Sequence, residues 1–585
     1  MSRVPVDSMT LSTIWHCFQS ICKEMRYVID RTSQNYLIAQ LHDVSVGIWN
    51  GRGQTVAIPI GLSVQYLGGK LSVEYVLNKF KGNLHPGDVI LVNDPYHGYC
   101  CHLPDWGFYR PIFYHGELLF FTLCRAHQMD TGGAYPGGYF PNAYDIHAEG
   151  LAIPGIKVME DDKEREDVME LILNNVRWPQ GTRIDNYAQI AALRVCEQRI
   201  VALLDKYGKA VVLGCVEEML ARTEKTVRAA IEKIPDGTYY GESATDDDGT
   251  ELDVPVWARC EVTVKRDELR VDFSKSDKQR KGFVNCVFNS TYSNALSALF
   301  MFLDPELAEY HNEGSLRPIT IYAPPGSVLN AQYPATVGAS PVSMGHQVIE
   351  SVVSAMSKAL PHKAIGCWGK RYGHYIFGHD PRTNEKYVVT TFDMDGGAGA
   401  ARGFDGYEGA TSIGALGEVN KGNVEEVEMR FPWRTLRWEF AQDTAGAGKW
   451  RGASGIHWEV QNVGGEAGIA TGSSDGEMVR APGALGGEPT PNSRTVLQRE
   501  EETIPLKGHR LYQLKPNDII AKVSGGGAGV GHPEERDPEK VRMDVIKELI
   551  SVEKAREIYK VIIHPETLEV QKEKTALLRA QAKRE

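Results

Sequence analysis

The sequence predicts a mixed α/β chain of the α+β kind, in several parts, with β-rich subdomains, long Gly/Pro-rich loops and a helical block in the middle. Three observations predict it. At 585 residues the chain is longer than one hydrophobic core normally serves. Short stretches of alternating polarity lie on both sides of a helical pattern that runs through residues 160–232. Glycine is dense over 366–422 and marks the turns of the last third, as it does between strands. The expected division is an N-terminal α/β part (1–158), the helical block (159–234), a mixed α/β part with Gly-rich loops (235–426), a β-rich part (427–536) and a helical tail (537–585).

Each element has its own signal. Leu11, Ile14, Trp15, Phe18, Ile21, Cys22 and Met25 recur at helical spacing and predict an opening amphipathic helix. Residues 44–60 alternate around Trp49-Asn50-Gly51-Arg52-Gly53, as a hairpin would. The run 116–124 (GELLFFTLC) reads as a buried strand bounded by turn residues. Residues 136–154 are rich in Gly, Pro and Tyr without a period, which suits an ordered wall. Strands are expected at 260–264 and 269–273, helices at 290–302 and 347–360, alternating strands over 427–523, and a charged helical tail after Pro538.

The chemistry is sought between Asn93 and Asp130, where one small pattern occurs twice: His102-Leu103-Pro104-Asp105 and His127-Gln128-Met129-Asp130. A catalytic first-row metal takes about three imidazole and carboxylate ligands and keeps a position open. His-x-x-Asp in a turn presents a nitrogen and an oxygen to one point, and Leu103-Pro104 argues for such a turn. The 116–124 strand delivers His127 and Asp130 just past its end. Spacing alone leaves two readings open, a metal site and a set of hydrogen-bonded polar residues in a long loop. Cys100 and Cys101 adjoin His102, so a thiolate ligand is conceivable, though small buried thiols in a tight turn are the commoner case.

Composition excludes other classes. A net charge of −12, with no Lys/Arg run interleaved with aromatics, argues against nucleic acid as a partner. Ten scattered cysteines without a C-x-x-C point to a reducing cytoplasm. No stretch reaches the roughly 20 apolar residues of a membrane span, and the N-terminus lacks a signal-like apolar core. The Walker pattern is absent, since Gly69-Lys70 and Gly448-Lys449 lack the following hydroxyl. Gly472-Ser473-Ser474-Asp475-Gly476 matches a nucleophile elbow only as a string, and a turn is expected there. The acidic turn Asp246-Asp247-Asp248-Gly249 lacks the later glycine and glutamate of a calcium loop. The densest glycine run, 395–406 with Arg402, admits an anion-binding reading beside the commoner one of turns between strands.

Taken in order, several of these strings resemble one family. The run 87–96 (GDVILVNDPY), His102-Leu103-Pro104-Asp105, Arg125-Ala126-His127 and Asp130-Thr131-Gly132-Gly133 are similar to the hydantoinase B and 5-oxoprolinase family. The likeness continues through Glu149-Gly150-Leu151, Asn312-Glu313-Gly314, Arg317-Pro318-Ile319, Gly326-Ser327, Thr444-Ala445-Gly446-Ala447-Gly448 with Arg451-Gly452, and Ala555-Arg556 with Tyr559. It covers nearly the whole chain.

The resemblance implies a two-part machine. A hydantoinase A-like subunit uses ATP and magnesium to activate a carbonyl or bicarbonate, smaller accessory subunits join it, and no biotin is needed. The B-type chain then works on the activated species. By the same resemblance His102, Asp105 and His127 are metal ligands, with Asp43 as a further candidate. Zinc or manganese is the expected ion. Asp130 is expected to orient a ligand or carry a proton, and Asp94 is a second candidate catalytic carboxylate. Two departures stand out, Tyr99-Cys100-Cys101 before the first histidine and Gln128 in place of a second adjacent histidine. They make one side of the site less polar, which suits a ketone or aromatic substrate better than a cyclic amide. By the same resemblance a chain of 64.8 kDa is closer in size to an acetophenone carboxylase subunit than to the longer acetone carboxylase large subunits. The expected activity is therefore of the acetophenone carboxylase type, giving a β-keto acid such as benzoylacetate. An ATP-dependent hydantoinase, oxoprolinase or lactamase subunit, and a non-catalytic scaffold, are the alternatives.

Overall fold

The computed structural model describes residues 6–582 apart from 59–61, 304–306, 308–309, 371–372, 392–395 and 473–475. The chain clusters into two compact units, one of residues 1–238 and 261–341, the other of 239–260 and 342–585. Both mix helix and sheet, as the sequence predicts. No described helix is long and apolar enough to cross a membrane.

In the first unit the opening helix α1 spans Ser8–Thr32 and begins where the Asp7 carboxylate accepts from the Met9 and Thr10 amides at 3.0 and 2.9 Å. That cap satisfies donors the first turn would otherwise leave unpaired. Its buried stripe (Leu11, Ile14, Phe18, Ile21, Cys22, Met25, Ile29) packs on one face of a seven-stranded sheet. The strands are β1 (Val44–Asn50), β2 (Thr55–Ala57), β3 (Val89–Val92), β4 (Asp105–Tyr114), β5 (Glu117–His127), β6 (Ile156–Glu160) and β7 (Lys163–Glu164). They pair antiparallel in the order β2-β1-β5-β4-β3-β6-β7.

The central strands are buried on both faces. Helices Pro179–Tyr207 and Lys209–Ile231 join α1 in the same core. The helical block thus starts later than its pattern predicts, because residues up to Glu164 complete the sheet edge as β6 and β7. The hairpin of β1 and β2 lies where the sequence places it. Strand β4 had no clear alternation to announce it. Both its faces are covered, so polarity does not alternate along it, even Asp105 and Arg110 being buried, and Pro111 interrupts the run. Later in this unit, 261–265 pairs antiparallel with Glu268–Asp272, which pairs parallel with Ile319–Tyr322. The expected helix at 290–302 is Phe288–Phe300.

The second unit holds the almost wholly buried helix Met344–Ala359 and two sheets. One contains Gly373–Asp380, Glu385–Thr391, Ala467–Gly472 and Arg510–Leu514. The other contains Trp433–Ala441, Gly455–Asn462, Arg494–Arg499, Glu502–Pro505 and Ile519–Val523. Its Gly-rich runs have a steric reason. A Cβ at Gly527 would overlap the Ala398 carbonyl, and one at Gly446 would stand 2.8 Å from Ala528 Cα, so main chains cross here in direct contact. Arg402 spends a guanidinium nitrogen on the Pro361 carbonyl at 3.0 Å, inside this packing. Asp395 and Ser473 to Asp475 lie outside the described residues. The acidic turn is explained by the backbone it holds: the Asp246 carboxylate accepts from the amides of Glu477, Met478 and Val479 at 2.7–3.1 Å. The tail forms three helices, Pro538–Ile546, Val552–Glu557 and Lys572–Ala582, around Val541, Ile550, Ala555, Tyr559 and Val561.

Candidate metal centre

Sheet order builds the site. Strand β5 lies between β1 and β4 and runs antiparallel to both, so the starts of β1 and β4 fall beside the end of β5. Asp43 precedes β1, Asp105 opens β4 and His127 closes β5, with Asp105 and His127 in register across the ladder. His102 stands one turn before Asp105, where the Asp105 amide donates to the His102 carbonyl at 3.3 Å. Residues distant in sequence therefore meet because a twofold hydrogen-bond register brings three strand ends to one edge.

The donor atoms converge. His102 Nε2 is 3.2 Å from Asp105 Oδ1, and His127 Nδ1 is 3.5 Å from that same oxygen. His127 Nδ1 also lies 3.7 Å from Asp43 Oδ2. One ligand atom from each of His102, Asp105 and His127 lies within 4.8 Å of the others, and all three residues are buried. Two ligands about 2.1 Å from a common ion and at a tetrahedral angle are about 3.4 Å apart, so these separations fit one first-row cation.

Hydrogen bonds around the cluster decide what its atoms present. The His102 Nδ1–H donates to the Gly338 carbonyl at 2.7 Å, which leaves Nε2 as the lone-pair atom facing Asp105. A neutral imidazole would thus set a lone pair against a carboxylate oxygen, an arrangement that a shared cation or a second proton resolves. Burial works against protonating His102, but Asp105 and the Gly338 carbonyl outweigh it and hold its pKa above the ordinary value. Burial alone would raise Asp105. His102 and then His127 draw it well below the usual carboxylate range.

Gln65 was not foreseen. Its Nε2 donates to Asp43 Oδ1 at 2.8 Å and to Asp105 Oδ1 at 3.1 Å, so one amide ties the two carboxylates together. The Gln65 carbonyl is held in turn by Arg125 Nη1 at 2.8 Å, and Arg125 is fully buried, donating also to Tyr109 and Ser72. A buried guanidinium whose hydrogen bonds go to neutral oxygens supplies positive charge beside a cluster rich in carboxylate. Tyr139 also went unnoticed as an individual residue, although the 136–154 segment was expected to wall the site. Its ring stacks on His127 (centroids 6.0 Å apart, planes at 18°) and stands edge-on to His102 at 5.7 Å. Sequence carries a weak signal for Tyr139 through the Gly/Pro/Tyr composition around it, and none for Gln65.

The remaining expected residues lie elsewhere. Asp130 is fully buried with its carboxylate occupied: it accepts from the Gly132, Gly137 and Arg177 amides at 2.8–3.2 Å and from Arg177 Nη1 at 2.9 Å. It anchors the loop after β5. Asp94 closes its own turn, accepting from the Tyr96 and His97 amides and from His97 Nδ1 at 2.8–3.1 Å. Neither is brought to the His102, Asp105 and His127 donors by these bonds.

The two departures also turn inward. Gln128 donates to Gln189 on the covering helix at 3.0 Å. Cys100 and Cys101 are fully buried and donate to the Val92 and Val64 carbonyls. Burial pushes the Cys100 thiol up to about 12 and raises Cys101 as well, so both stay protonated and serve as packing rather than as thiolate ligands. The lower polarity expected on that side of the site is therefore spent within the fold.

Comparison with known proteins places this arrangement. A model of the family described as hydantoinase B/oxoprolinase matches residues 7–533. The chain is 31% identical to the beta subunit of the caprolactamase of Pseudomonas jessenii, covering 95% of this chain and 96% of that one. It is 30% identical to the B-type subunit of a putative D-/L-hydantoinase of Pseudomonas sp. (strain NS671), with 98% of each covered. Among solved structures, the ATP-dependent caprolactamase from Pseudomonas jessenii superposes with a TM-score of 0.90 at 29% identity, covering 99% of this chain and 100% of that one. An acetone carboxylase shares the fold, with a TM-score of 0.88 at 20% identity over 99% of this chain and 83% of that one.

Proposed function

The chain belongs to the hydantoinase B/oxoprolinase family, and on that premise we propose that it is the B-type subunit of an ATP-dependent enzyme that opens a cyclic amide, a lactam or a hydantoin. One observation carries the reading. The convergent His102, Asp105 and His127 donors sit in a chain similar from end to end to one chain of a caprolactamase and one of a hydantoinase. An ATP-using A-type subunit is the proposed partner, since this chain has no Walker motif of its own.

His102, Asp105 and His127 would hold a divalent cation, zinc or manganese, with Asp43 on the neighbouring side. When bound, such an ion supplies Lewis acidity toward a carbonyl or phosphoryl oxygen and lowers the pKa of water. The chain's own groups do the rest. The Gly338 carbonyl holds His102 in the tautomer whose Nε2 is free to bind. Gln65 keeps the Asp43 and Asp105 carboxylates side by side, and Arg125 holds Gln65. Tyr139 packs on both imidazoles and holds their rings in place beside the carboxylates.

Carboxylation of a ketone, acetophenone to benzoylacetate, is the second reading. It rests on the scaffold shared with acetone carboxylase. The site's inward-turned Gln128, Cys100 and Cys101 lend it no further support. One assay separates the two: the chain with its A-type partner, ATP, labelled bicarbonate and either ε-caprolactam, a hydantoin or acetophenone. Ring opening with ADP release and no incorporated label is expected. Label appearing in a β-keto acid would move the assignment to carboxylation.

A further inference from the structure

Glu149 is a buried carboxylate with no part in the chemistry above, and it binds the amide of Gly338, the residue whose carbonyl holds His102. It is 1% exposed. Its Oε1 accepts from the Val337 and Gly338 amides, both at 2.8 Å, and from the Thr336 hydroxyl. The carbonyl oxygen of Gly338 then accepts from His102 Nδ1 at 2.7 Å. Residues 336–338 belong to no helix or strand, so no ladder fixes that peptide. Gly338 is also tightly enclosed, since a Cβ there would stand 2.7 Å from Phe283 Cε2 and 3.0 Å from the Gly138 carbonyl oxygen.

The other carboxylate oxygen, Oε2, is buried without a hydrogen-bond partner. Burial pushes Glu149 up to about 7, against the pull of Thr336, Gly338 and Val337. A residue this costly to bury needs a return in structure. Three donors gathered on one oxygen provide it, because they pin the main chain through Val337 and Gly338 one rotation away from the carbonyl that His102 uses, and the close packing of Gly338 against Phe283 and Gly138 limits that rotation.

We propose that Glu149 is a positioning residue of the metal site: its Oε1 pins the Val337 and Gly338 amides and so places residue Gly338, whose carbonyl holds His102 as the Nδ1–H tautomer with Nε2 turned toward Asp105. The inference rests on the reading of His102 as a ligand. Reach decides the effect, not charge, because what the peptide needs is an acceptor oxygen at that point.

Two conservative variants distinguish reach from charge. Glu149→Gln keeps an acceptor oxygen at full length without the charge, whereas Glu149→Asp keeps the charge and withdraws the oxygen by one methylene. With cobalt(II) as the probe on the full-length chain, Glu149→Asp should bind about 10-fold more weakly or worse, while Glu149→Gln stays within about threefold of wild type. His102→Ala is the reference for a lost ligand. Wild-type affinity in Glu149→Asp, or an equal loss in both variants, overturns the proposal. If Glu149→Asp does not fold, Thr336→Val takes one donor from the same oxygen and should weaken cobalt about threefold; no change overturns the proposal. The metal-free, 15N-histidine-labelled chain gives a separate reading. At a pH high enough to leave the imidazole neutral, His102 should be the Nδ1–H tautomer in wild type and Glu149→Gln and a mixture in Glu149→Asp. Failure of wild type to bind cobalt through His102 would remove the metal reading alone, while an unchanged tautomer in Glu149→Asp would remove the role of Glu149.

Discussion

Each unit contains a buried polar cluster, and the two differ in how their charges close. In the second unit Lys370 Nζ donates to Glu350 Oε2 and to the Ala244 carbonyl, both at 2.8 Å, and to Ser243 Oγ at 3.3 Å, while Ser243 donates to the same carboxylate. Three ammonium protons meet three acceptors, and one cation meets one anion. In the first unit, acceptors outnumber donors at one point. Asp105 Oδ1 faces the lone-pair nitrogen of His102 and, from His127, a second ring nitrogen, with the Gln65 amide donating between the carboxylates. Burial and polarity alone do not mark a site. A closed cluster holds a fold together, whereas one whose donor atoms converge on one oxygen leaves room for either a shared proton or a cation.

Replacing both imidazoles should have the largest effect and break the comparison most clearly. His102→Ala with His127→Ala is expected to lower the activity of the assembled complex at least about 100-fold and to strip the chain of metal, with secondary structure retained by circular dichroism. Full activity with the metal gone would make the chain a scaffold. Lys370→Met is the counterpart in the closed cluster. It leaves Glu350 buried and unpaired, so urea denaturation should show a loss of about 3–5 kcal/mol while metal content per folded chain stays unchanged. A smaller effect is expected at Gln65, where Gln65→Leu removes both amide contacts to the carboxylates and should weaken zinc binding about 10-fold in a competition titration.

The smallest effect concerns pH. His311 is buried against Phe300, and burial lowers its pKa to about 4. Between pH 6.5 and about 4 the unfolded chain takes up a proton that the folded chain refuses, so stability is present above that window and is lost as pH falls through it. His311→Leu should flatten the fall of melting temperature across this range. A slope equal to wild type would show that His311 is not the group responsible.

Much of the candidate site was legible because its converging donors belong to short local strings. His102 and Asp105 share a turn announced by Pro104, and His127 follows a strand whose apolar run is plain. The two His-x-x-Asp strings nevertheless have different fates. Asp105 enters β4 in register with His127, whereas Asp130 is followed by Gly132 and Gly133 at positive φ, which turn the chain toward Arg177. Spacing cannot show that difference, since it depends on ladder register. Gln65 and Gly338 were invisible for a related reason: their contacts with the site span 22 residues or more of sequence. In the fold, helices with one wet face were readable by period, and β4, dry on both faces, was not.

Anomalous diffraction from zinc- or manganese-loaded crystals shows whether one divalent ion sits among the three donor atoms. A single strong peak is expected in the first unit, about 2.0–2.2 Å from His102 Nε2, Asp105 Oδ1 and His127 Nδ1. A loaded crystal with its peak elsewhere, or with none between these atoms, would contradict the metal reading.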